Sequence, residues 1–124
     1  MPCSALHDPG VLVASHAERA GCTIVALMGD LDIAAAPALR EELLGLLQPG
    51  ASRLIIDLSA ARIADASGAA VLVGTGRRAD LLGGWLRLVS PAPALTRILS
   101  VTGLDRRLAT FATIDEAISR PAAC

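Results

Sequence analysis

"RIADASGAAVLVGTGRRADLLGG", residues 62–84, is the stretch on which the fold turns. It offers two incompatible structures. In the first, "AAVLV" is a strand and "GTGRRA", Gly74 to Ala79, is the glycine turn of a dinucleotide site, matching the loose pattern G-x-G-x-x-A. In the second, Ser67 to Leu82 is one helix and the chemistry sits at its start. A dinucleotide site needs a strand, a tight turn, a helix, a second strand and an acid about 20 residues on for the ribose. No Asp or Glu occurs from Leu81 to Leu104, and Gly83-Gly84 would cut the helix short. The single helix accounts for more of the residues. Ala69, Leu72, Val73, Gly76 and Ala79 recur at i, i+3, i+4 spacing, with Arg77, Arg78 and Asp80 off that stripe. Gly83 stands where a helix ends. A helical glycine costs roughly 1 kcal/mol against Ala, so Gly76 on the apolar stripe implies close packing against a sheet.

This reading places Asp65 and Ser67 at a helix N-terminus. Both are capping residues, whose side chains accept hydrogen bonds from free backbone N–H groups. One cap suffices, so the pair leaves one residue over. A helix N-terminus also favours negative charge, which makes a Ser there a chemically suitable acceptor for a phosphoryl group.

Composition narrows the functional classes. The 124 residues suit one domain, and 53% are apolar, enough for one core. That core must be aliphatic, because Trp85 and Phe111 are the only aromatics. A net charge of −1 gives no electrostatic case for direct nucleic-acid binding or for an anionic membrane surface. No run of 18 apolar residues is present, and "MPCSALHDPG" lacks the basic and apolar regions of a secretory signal. Cys3, Cys22 and Cys124 are odd in number and far apart, so all three are expected as free thiols and no zinc site is expected. The chain has no lysine, which removes phosphate-loop and Schiff-base chemistry. His7 and His16 lie near the start and support no catalytic triad. The expectation is a cytoplasmic domain with no cofactor and no enzymatic activity.

Outward from the opening stretch, strands are expected at 11–17, 22–29, 53–59, 85–90 and 107–111. Residues 30–50 carry helical spacing at Leu39, Leu43, Leu46 and Leu47, with Pro37 in the first turn. Leu95, Ile98 and Leu99 mark a helix stopped by Gly103, and "TIDEAISR", 113–120, opens with a capping sequence. The order β-β-α-β-α-β-α-β-α predicts an α/β fold: a mixed four- to five-stranded sheet opened by an antiparallel hairpin, with about four helices. Residues 1–10 read as a flexible N-terminal segment, 11–120 as the domain and 121–124 as a tail. Arg40, Glu41, Glu42, Asp115 and Glu116 read as solvated helix faces, as do Arg106 and Arg107. Asp57 is expected at a strand end, capping a loop.

"GDLDIAAAPALREELL", "RLIIDLSAARIADASGAAVL" and "VTGLDRRLATFATIDEAI" together resemble the STAS domain, and more narrowly the bacterial anti-sigma factor antagonists. The resemblance covers about residues 11–120. The family's Asp-Ser-Ser-Gly stands here as Asp65-Ala66-Ser67-Gly68, and Ala69-Ala70 replaces the usual Leu-Gly. The resemblance implies that Ser67 is phosphorylated by an anti-sigma factor with serine kinase activity. It implies that Asp32, Asp65, Ser67 and Gly68 form the partner-binding surface, in a monomer or weak homodimer. The unmodified protein would then bind the anti-sigma factor and release a sigma factor, and phosphorylation would switch it off. The same family resemblance also allows an accessory subunit of a transporter or a stress-signalling scaffold.

Overall fold

The structure, a computed structural model, describes residues 11–63, 65–103 and 108–121. Cys3, Cys124, His7, Arg106 and Arg107 lie outside the described residues. The elements run β1 (Val11–Arg19), β2 (Cys22–Leu31), α1 (Ala36–Leu46), β3 (Arg53–Ile63), α2 (Ala66–Leu81), β4 (Trp85–Val89), α3 (Pro93–Thr102), β5 (Ala109–Phe111) and α4 (Ile114–Ser119). They form one five-stranded α/β sheet in the order β1-β2-β3-β4-β5. β1 pairs antiparallel with β2, and β2 to β5 are parallel. The hairpin closes through Ala20 and Gly21, at φ 55° and 79°, the left-handed pair that a two-residue turn between twisted strands requires.

Each parallel strand is added on the same side of the last. Right-handed crossovers therefore place α1, α2 and α3 on one face of the sheet. Val25, Leu27, Leu54, Ile56, Leu86 and Leu88 point to that face and form one aliphatic core with Leu43, Leu72, Leu95 and Leu99 from the helices. The alternate residues point the other way, as the pleat demands. There Cys22, Ile55 and Val89 pack on Ala117 of α4, with Trp85 and Phe111 at the margin. Arg87 on β4 is buried on this second face. Its guanidinium donates to the carbonyls of Ala117 and Arg120, both at 2.6 Å, and stacks over Trp85 at 3.8 Å. Burial pulls the Arg87 pKa below its ordinary value. Three backbone carbonyls, the third from Pro121 at 3.2 Å, take the place of a carboxylate partner.

The opening stretch is one helix. Ala69, Leu72, Val73, Gly76 and Ala79 all lie within α2 and all are buried, so "AAVLV" is not a strand and the dinucleotide turn does not form. A Cβ at Gly76 would meet Leu108 Cδ2 at 3.1 Å and Leu86 Cδ2 at 3.5 Å, which is why the stripe carries a glycine there. Gly83 follows the helix with φ +87°.

Three strands run further than the residue pattern indicates, β1 by two residues, to Arg19. β2 continues to Leu31 and β3 to Ile63, because Met28 to Leu31 pair with Ala60 to Ile63. β3 carries one extra residue between Asp57, opposite Ala26, and Ala60, opposite Met28. Asp57 therefore lies inside a strand, beside this bulge, and not at a strand end. Its Oδ1 accepts a hydrogen bond from the Ser59 N–H at 3.0 Å. Pairing with β4 stops at Asp57–Val89, so the last part of β3 is held by β2 alone. The extension carries the ends of β2 and β3 out together, beyond β4.

Candidate functional site

The ends of β2 and β3 deliver two acids to the same place. After β2, Asp32 turns the chain into α1: its Oδ1 accepts from the Ala35 N–H at 2.8 Å, and its carbonyl accepts from Ala36 at 3.0 Å. Near the end of β3, Asp65 is the N-cap of α2, with extended backbone at φ −160°, ψ 179°. Its Oδ1 accepts from the Ser67 N–H at 2.8 Å, the bond expected of a cap. Its Oδ2 accepts from the Ile33 N–H at 3.0 Å, across 32 positions of sequence. One carboxylate thus ties the start of α2 to the β2–α1 loop, next to Asp32.

Of the four residues singled out by sequence, the structure brings Asp65, Ser67 and Gly68 together in the first turn of α2 and joins them to the Asp32 loop through Ile33. Ser67 is half-buried and Gly68 is buried. The Asp32 carboxylate serves its own turn, and the bridge between the two segments is made by Asp65. The Ser67 N–H, the Ile33 N–H and the Ser67 side chain all favour the ionised carboxylate, with the Ser67 N–H foremost. Together they hold the Asp65 carboxyl below its ordinary pKa, against a smaller opposing effect of desolvation.

Two further residues border the site. Ile33, in the β2–α1 loop beside Asp32, is held with 73% of its surface exposed. A groove of about 460 Å³ runs between α1 and α2, where Ala36, Pro37 and Arg40 stand beside Ser67, Ala70 and Gly74. Its small side chains keep it open, and among the described residues that line it Arg40 is the one charged group. Arg40 is exposed, as a solvated helix face requires, but it shares its groove with Ser67. The one sequence signal for this was that Arg40 has no acid three or four residues away on its helix. Ile33 carried no comparable signal.

Residues 14–117 match the family model of the STAS domain. The anti-sigma-B factor antagonist of Bacillus subtilis (strain 168) is 38% identical over 80 residues, covering 64% of this chain and 72% of that protein. The crystal structure of an anti-sigma factor antagonist from Mycobacterium paratuberculosis superposes with a TM-score of 0.76 at 26% identity, covering 90% of this chain and 94% of the other. A murine anion transporter, solute carrier 26 family member A9, shares the fold at a TM-score of 0.69 and 22% identity, covering 82% of this chain and 18% of the transporter. Among the described residues, no helix is long and apolar enough to cross a membrane.

Proposed function

The chain belongs to the STAS domain family, and on that premise we propose that it is an anti-sigma factor antagonist switched by phosphorylation of Ser67. Unmodified, the surface formed by Asp32, Ile33, Asp65, Ser67 and Gly68 docks on an anti-sigma factor, which lets go of its sigma factor. The anti-sigma factor is itself the serine kinase. The Ser67 hydroxyl oxygen attacks the γ-phosphorus of ATP, the bond to the β,γ-bridging oxygen breaks, ADP leaves, and the hydroxyl proton passes to a base on the kinase or to water. The chain is the substrate and the binding partner in this cycle, not the catalyst.

The observation that carries the reading is the double hydrogen bond of Asp65. It fixes Ser67 at a helix N-terminus on the same edge that displays Ile33. A phosphoryl group there adds about −1.5 to −2 charges at neutral pH beside an ionised carboxylate. The helix N-terminus accommodates part of that charge, so folding is spared and docking is weakened. The antagonists named above support this choice over a transporter subunit, because the transporter shares the fold at an identity too low to carry function.

The test is labelling with the cognate kinase and ATP. Wild type should take up one phosphate, and Ser67→Ala should take up none while keeping its fold. Phosphate mapped to Ser59 or Thr102 by mass spectrometry overturns the assignment. A pull-down with unmodified protein should retrieve a kinase-like anti-sigma factor, whereas retrieval of a transporter ATPase or a scaffold homologue favours the other members of the family.

A further inference from the structure

Among the described residues, the α1–α2 groove is lined by one charged side chain, Arg40, and by one hydroxyl that phosphorylation would modify, Ser67. Among the described residues Arg40 makes neither an ion pair nor a side-chain hydrogen bond; the two ion pairs there are Arg19–Asp115 and Arg62–Asp30. Its neighbours at three and four positions along α1 are Ala36, Pro37, Leu43 and Leu44, none of them acidic. Glu41 and Glu42 follow it directly in sequence and point to other sides of the helix. Among the described residues, no acid lines the groove. Arg40, exposed and without an ion pair among the described residues, therefore borders an open groove whose other described walls are small and apolar, and Ser67 borders the same groove.

We propose that Arg40 is an intramolecular clamp for the phosphoryl group on Ser67, holding it in the α1–α2 groove. The inference rests on Ser67 being the phosphoacceptor. Packed helices lie roughly 8–10 Å apart, a span that an arginine side chain covers. The planar guanidinium offers paired N–H donors that match two phosphoryl oxygens, which a lysine ammonium cannot do. Ala70 and Gly74 leave the room: a Cβ at Gly74 would meet no atom within 4 Å. The clamp answers a difficulty of the site. A dianion on Ser67 sits beside the Asp65 carboxylate, and the helix N-terminus supplies only about half a charge against it. Arg40 supplies a full one. The clamp also sharpens the switch, because phosphorylation then changes the docking surface twice. It adds an anion, and it engages a cation that was free to meet a partner.

The test separates this clamp from the assignment of the phosphoacceptor by placing phosphoserine at position 67 during translation, with no kinase involved. The phosphate is titrated by 31P NMR in the otherwise wild-type chain and with Arg40→Gln, Arg40→Lys or Arg77→Gln. Arg77 is an exposed arginine on α2 outside the groove. The second phosphate pKa, ordinarily about 6, should rise by about one unit in Arg40→Gln, in keeping with the loss of an opposite charge within contact range. Arg40→Lys should fall between, and Arg77→Gln should match the wild-type background. An unchanged pKa in Arg40→Gln, or equal shifts in Arg40→Gln and Arg77→Gln, overturns the clamp. Failure of the kinase to label Ser67 overturns the phosphoacceptor and leaves this titration readable.

Discussion

The helices α2 and α4 begin alike and end up with different roles. Each starts on an extended residue that follows a parallel strand, Asp65 after β3 and Thr113 after β5. Each cap accepts from a backbone N–H inside its own helix, Asp65 from Ser67 at 2.8 Å and Thr113 from Glu116 at 3.1 Å. At α4 the exchange closes locally, since the Glu116 carboxylate accepts in return from the Ala112 N–H at 3.2 Å. At α2 the second carboxylate oxygen leaves the helix and takes the N–H of Ile33. A closed cap can stabilise only the helix it starts. A shared cap makes the position of one helix depend on a loop from another part of the chain. Chemistry at Ser67 is therefore felt in two elements, while the same chemistry at α4 would be felt in one.

The largest effect should come from loading the shared cap with charge. Ser67→Glu should stay folded, because a helix N-terminus accepts an acid. It should bind the anti-sigma partner at least tenfold more weakly, since like charges at a partly desolvated interface can cost several kcal/mol. Added salt should recover only part of the loss, because charges covered on docking are poorly screened. Calorimetric titration against wild type and Ser67→Ala measures it. Equal affinity in Ser67→Glu and wild type would mean that the two helix starts do not differ in function.

The closed cap should give a smaller and purely local effect. Thr113→Ala removes the bond to Glu116 and should cost about 1 kcal/mol, as cap deletions commonly do. In a chain of this size that corresponds to a fall in Tm of roughly 4 °C. Amide exchange should quicken through Ile114 to Ser119, and partner affinity should not change. A loss of affinity in Thr113→Ala would erase the contrast between the caps.

The similarity of these two starts explains what could be read in advance. Periodicity identified α2 and rejected the glycine turn, because the stripe from Ala69 to Ala79 needs only the spacing of side chains along one helix. The cap residues were legible for the same reason. The lengths of β2 and β3 were not, since Asp30 and Arg62 are polar and solvent-facing and only their pairing across strands makes them sheet. The bridge from Asp65 to Ile33 was hidden for a related reason: the donor is a backbone N–H, and every residue but proline has one. The family resemblance placed Asp32 near Ser67, but it was Asp65 that joined the segments. Arg40 carried a faint mark in its missing helix partners, and only the packing of α1 on α2 put it beside Ser67.

The smallest effect is the most direct test of the shared cap, and it lies in acid. The Asp65 carboxyl is held below its ordinary pKa, first by the Ser67 N–H and then by the Ile33 N–H and the Ser67 side chain. A carboxyl whose folded pKa lies below its unfolded value of about 3.9 contributes stability above that value. The contribution disappears as pH falls through the folded pKa. In carbon-detected NMR the Asp65 carboxyl should therefore titrate below the ordinary range. The amide signals of Ser67 and Ile33 should move with it, at one shared midpoint, because both N–H groups donate to the same carboxylate. Asp65→Asn keeps one acceptor oxygen and loses the charge. It should flatten the acid limb of the stability curve and remove the joint titration. If Ile33 shows no response at the Asp65 midpoint while Ser67 does, the cap of α2 is as local as that of α4, and the link from Ser67 to the β2–α1 loop is lost with it.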